Sequence, residues 1–193
     1  LRQMRGHQRR VLRIVLTINL VTFVMMAYGA WWSRSSSLLS GGLDNLGDAL
    51  TYALSLAVIG ASLAAQSRVA LVKGLLIFGA ALVVAAQIVY RLLNPAVPIF
   101  EAMGLIGLLN LGANGVCLWL LMPYRRGDVN MASAWECSRN DIFEGLAVLA
   151  AAGGVAIVDS GWPDLAVAVF LLALFLRSSF MVLRSAMKGL RTP

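Results

Sequence analysis

Six apolar stretches joined by short polar links run through the 193-residue chain, and nothing else in it restricts folding as strongly. They cover about 11–32, 38–65, 69–93, 100–122, 137–158 and 164–183. A helix that crosses the hydrocarbon core of a bilayer needs about 20 mainly apolar residues, and each stretch is long enough. Composition agrees: 60% of residues are hydrophobic and 13% charged, against about 45–50% and about 25% in a soluble domain. A water-soluble enzyme core, a disordered chain and a disulfide scaffold are excluded together. The expected fold is all-α, a polytopic membrane protein with six transmembrane helices. Residues 1–10 are expected as a basic cytoplasmic segment, 11–184 as the membrane domain and 185–193 as a short cytoplasmic tail with no further domain.

The links are read as follows. Ser33–Ser37 is a polar turn and Gln66–Arg68 a tight connection. Asn94–Pro98 ends the third stretch because proline cannot continue a helix. Pro123–Glu136 is the longest polar loop, and Asp159–Pro163 is a turn. Leu1–Arg10 is polar and lacks the apolar region and small-residue cleavage site of a signal peptide. With six spans, twelve of the sixteen Lys and Arg residues fall on the side of the termini, Arg68 and Lys73 among them. Only Arg34 and Arg91 fall on the other side, and Arg139 and Arg177 lie in spans. This bias predicts cytoplasmic termini and puts Trp31, Trp32 and Trp162 in an aromatic belt at the outer interface. The net charge of +7 and pI near 10.3 therefore reflect orientation, and no nucleic-acid partner is expected. The single histidine, His7, lies outside the spans, which removes mechanisms built on a histidine base; no enzyme is expected. Cys117 and Cys137 do not make a disulfide framework.

Four of the nine acidic residues, Asp44, Asp48, Asp141 and Glu144, sit at or in the second and fifth stretches. A carboxylate at the centre of a span costs about 2.5–3.5 kcal/mol on insertion scales, so such residues point to function. Asp44 and Asp48 are four apart, on one helical face. Cys137 and Asp141 repeat that spacing, and Glu144 continues their face. Two aspartates from one helix with a cysteine and an aspartate from another make four donors, the number a tetrahedral zinc-like ion takes. Protons and metal then compete for the same oxygens. Against this stands a plainer reading of the aspartate pair as a solvated helix start made irregular by Gly41, Gly42 and Gly47. Glu144 reads as a cavity residue or a partner for Arg139. Asn19, Gln87, Asn110 and Asn114 read as interhelical hydrogen-bond links, and Cys117 as packing.

Taken in order, these motifs resemble the cation diffusion facilitator family of six-span metal-ion/proton antiporters. Asn19 and Gly29 on the first span, Ser37–Asp48 on the second, and Arg91 with Pro95 carry the resemblance. Asn114, the approach from Asp128 to Asp141, and Ser160–Asp164 complete it. The resemblance implies that Asp44, Asp48 and Asp141 stand at transport-site positions, in a homodimer that exports a divalent cation by alternating access in exchange for protons. It implies multi-pass placement in a cell membrane of the bacterial inner-membrane kind, with the metal as cargo and no cofactor. Cys137 replaces the family's usual histidine, and a thiolate favours zinc or cadmium over manganese. The histidine-rich loop between spans four and five and the C-terminal domain have no counterpart in this sequence. A dimer formed through the spans would then use small residues such as Ala30, Gly104, Gly107 and Gly112.

Overall fold

A chain that buries its backbone in lipid has to satisfy every N–H and C=O inside the segment that carries them, which long helices do. The computed structural model describes residues 2–57, 63–126 and 129–191, and apart from one short 3-10 turn its regular structure is α-helical. The helices are α1 (Arg2–Ser33), α2 (Ser36–Ala57), α3 (Leu63–Leu93), α4 (Phe100–Leu121), α5 (Val129–Val158) and α6 (Trp162–Arg191), with the 3-10 turn Met122–Tyr124 after α4. Five of them carry apolar windows long enough to cross a membrane: 6–33, 70–93, 100–124, 134–158 and 162–184. The sixth, α2, is too polar to qualify alone. It nevertheless matches the depth of α1, because its Leu38 packs with Met26 while its Tyr52 packs with Val11 and Val15. The protein is an all-α polytopic membrane protein.

Four boundaries differ from those read in the sequence. The basic N-terminal residues from Arg2 on are the first turns of α1 rather than a separate segment, and α6 continues as helix to Arg191. Gln66–Arg68 belongs to α3, and residues 58–62 lie outside the described residues. Residues 129–136, expected in a loop, open α5. The reason is packing: Met131, Ala134, Ser138, Asp141, Gly145, Val148, Ala152 and Val155 are buried, alternately three and four apart. That spacing is one continuous helical stripe, and it begins before the apolar run does. Asp128 lies outside the described residues.

The helices divide into two bodies. α1, α2, α4 and α5 pack on one another around two cores, one centred on Met26, Leu38, Met103, Ile106 and Val148, the other on Val11, Tyr52, Cys117, Leu121 and Met131. α3 and α6 form a closely packed pair of their own around Ala81, Val84, Ile88, Ala168 and Phe175. Gly74 permits their approach: a Cβ there would stand 2.7 Å from Leu183 Cδ2, and Ser179 Oγ donates to the Gly74 carbonyl at 3.0 Å. Large apolar side chains such as Trp31, Trp119, Ile157 and Phe180 face outward, as a lipid-facing surface requires. Of the small residues expected at a dimer contact, Ala30 and Gly107 are instead consumed inside the protomer, Ala30 in a core and Gly107 against Val148 and Leu149. A Cβ on Gly104 or Gly112 would meet nothing within 4 Å.

The links α1–α2, α3–α4 and α5–α6 meet at the end of the bundle away from the termini, here termed the distal end. Ile99 N–H donates to the Ser33 carbonyl at 3.0 Å, and the Ala96 carbonyl presses on Gly161. Asp164, in the first turn of α6 and 2% exposed, accepts from four donors on the α1–α2 link and the start of α2. These are Ser36 N–H (2.6 Å) and Ser37 N–H (3.0 Å) and the hydroxyls of Ser35 and Ser37 (both 2.6 Å). Ser35 Oγ in turn accepts from Leu38 N–H at 3.1 Å. The first N–H groups of α2, which have no partner within the helix, are thus capped partly from its own sequence and partly from the last span.

Candidate metal site

Helical geometry puts Asp44, Asp48 and Tyr52 on one face of α2, and Cys137, Asp141 and Glu144 on one face of α5. The two faces turn towards the seam between the bodies. Asp44, Asp48, Cys137, Asp141 and Glu144 line one cavity of about 440 Å³, with Phe170 and Phe175 of α6 lining it from the other side. A second cavity of about 470 Å³, on the α3 side, shares Asp44, Asp48 and Cys137 and adds Lys73. Asp48 and Asp141 are buried, while Asp44, Cys137 and Glu144 are half-buried. All four residues singled out as ligands are therefore brought to one place, and the aspartate pair is not a solvated helix start.

Asp44, Asp48, Asp141 and Glu144 are gathered at this one seam. The Tyr52 hydroxyl donates to Asp48 Oδ2 at 3.0 Å and lies 3.4 Å from Ser138 Oγ. Asp141 Oδ2 and Glu144 Oε2 are buried without a partner, a costly state for a carboxylate oxygen. Among the described residues no three or more His, Cys, Asp or Glu side chains already surround a single ion position. The donors share a cavity.

Several side chains depart from their sequence reading. Glu144 lines the cavity with Asp44, whereas Arg139 lies over the Trp135 ring at 5.2 Å and faces outward. Lys73, counted with the charge of the second link, is half-buried inside α3 and lines a cavity with Asp44, Asp48 and Cys137. Tyr52 was not singled out, although it stands four residues after Asp48 on the same face, which is signal enough to find it. Asn110 is an interhelical link as expected, accepting from Asn45 Nδ2 at 2.8 Å. Asn19 donates to the Val15 carbonyl of its own helix at 3.0 Å and only weakly to Cys117 Sγ at 3.9 Å, while Asn114 Oδ1 has no partner. Gln87 lies towards the distal end, away from the acids.

A family model described as the cation efflux transmembrane domain matches residues 12–190, nearly the whole chain. The chain belongs to the cation diffusion facilitator family. No curated protein matches it. Facilitators of this family are metal-cation efflux transporters, so multi-pass transport of a metal cation is the activity of this chain as well.

Proposed function

We propose that this facilitator exports a divalent transition-metal cation, zinc or cadmium, from the cytoplasm in exchange for protons. Asp44, Asp48, Cys137 and Asp141 form its transport site, exposed alternately to the two sides of a cell membrane in which both termini are cytoplasmic. The observation that carries the reading is the convergence of these four residues, from two helices, on one cavity at the seam between the two helix bodies. Carboxylates crowded into one cavity repel one another when all are ionised, so protons and an arriving cation compete for one set of oxygens. The thiolate of Cys137 adds a soft donor that favours zinc or cadmium over manganese. The functional unit is a homodimer formed through the spans, with Gly104 and Gly112 left at the surface for that contact. Zinc uptake by inside-out vesicles tests the assignment: Asp48→Ala is expected to abolish it. Uptake at the wild-type rate would refute the site.

A further inference from the structure

The distal end carries two arginines on the side where the charge bias leaves almost none. Arg34 sits on the two-residue link between α1 and α2 with φ 59, and Arg91 lies in the last turn of α3. Both line two adjoining cavities, of about 350 Å³ and about 620 Å³, that also share Pro95 and Ala96. The pair therefore stands on the wall between the two spaces. Arg91 Nε is buried and has no hydrogen-bond partner. Its guanidinium lies 5.7 Å from the Tyr90 ring centroid, a contact that serves its face but none of its N–H groups. The nearby Asp164 has both oxygens taken by the serines of the α1–α2 link. Asp159 is exposed, and no ion pair joins it to either arginine among the described residues.

A guanidinium offers a planar fork of donors that suits a phosphate in two-point contact. Two such forks with an unanswered buried donor form an anion site that the protein itself does not fill. The larger cavity supplies further donors from Gln87 and Asn94. It opens past Trp31 and Tyr90, which are 76% and 55% exposed. Aromatic side chains so placed mark headgroup depth in a bilayer, where the abundant phosphate is that of a phospholipid.

We propose that Arg34 and Arg91 hold the phosphate group of a phospholipid headgroup at the distal end of the bundle, between α1 and α3. The site is separate from the acid cavity and does not depend on which cation is carried. Thermal unfolding and native mass spectrometry of the purified full chain test it with three probes: phosphatidylglycerol, diacylglycerol with the same acyl chains, and inorganic phosphate. Phosphatidylglycerol is expected to raise the melting temperature and remain bound, while diacylglycerol does neither. The double variant Arg34→Gln/Arg91→Gln is expected to hold that lipid about 10- to 100-fold less tightly, the worth of one or two charge-assisted hydrogen bonds. Arg91→Lys keeps the charge without the fork and should fall between, which separates loss of the site from general misfolding. Equal effects of the two lipids, or wild-type lipid affinity in the double variant, would overturn the proposal. Protection by inorganic phosphate as strong as that by the lipid would overturn the assignment to a headgroup.

Discussion

Replacing Asp164 with alanine should destabilise the protein more than any other single change at the distal end. The carboxylate accepts from two backbone N–H groups, of Ser36 and Ser37, and from two serine hydroxyls, all buried. After truncation the hydroxyls can reorient, since Ser35 Oγ and Ser37 Oγ already lie 3.2 Å apart. The two N–H groups cannot, because the helix gives them no other acceptor. Each buried donor left unsatisfied costs about 1–3 kcal/mol, so the pair costs about 4 kcal/mol. For a chain of this size, about 2–4 °C of melting temperature goes with each kcal/mol, giving a fall of about 8–16 °C. Asp164→Asn keeps one acceptor oxygen and the shape but loses the charge, and is expected to fall about half as far. Tryptophan fluorescence during thermal unfolding in detergent reads both. An alanine variant melting within about 2 °C of wild type would refute the clamp as a source of stability.

Three further outcomes follow from the same geometry. Cys137→Ser removes the soft donor and should lower cadmium uptake about tenfold or more while sparing manganese; an unchanged cadmium-to-manganese ratio in vesicle uptake would count against a ligand role. Lys73→Met removes a cation that shares the cavity with Asp44 and Asp48, so divalent-metal affinity by calorimetry should rise about tenfold, and equal or weaker binding would show that Lys73 does not compete with the cargo. Gly161→Ala puts a Cβ 2.5 Å from the Ala96 carbonyl oxygen, a backbone atom with little room to yield. The overpacking should cost about 1–3 kcal/mol and lower the melting temperature by several degrees, and a neutral result would mean that the turn shifts freely.

The helices were legible because lipid demands long apolar runs, and only their ends were misplaced. α5 begins eight residues before its apolar stretch because Met131 and Ala134 contact α1 and α4, and such contacts leave no mark in local composition. The acid cavity was legible in part. Spacing alone puts Asp44 with Asp48 and Cys137 with Asp141 on common faces, but that Glu144 turns into the cavity while Arg139 turns out depends on how α2 and α5 are rotated. Lys73 was misjudged because counting charge by link assigns a residue to a side, whereas a half-buried position almost three turns inside α3 can face inward. Nothing local connects Asp164 to serines some 130 positions earlier; that contact exists only because three links converge.

The Asp164 clamp has a mechanical consequence. It ties the start of α6 to the start of α2, that is, one helix body to the other, at a single end. The cavity-lining Ser178 lies fourteen residues further along α6, about 21 Å away at 1.5 Å per residue. With the clamp as fulcrum, a swing of the α3–α6 pair by about 5° moves its wall of the acid cavity by about 2 Å and its far end by about 4 Å. A displacement of that size is comparable to a metal–oxygen bond length, so the leverage of a long helix held at one end is enough to make or break a ligand contact without unpacking either body.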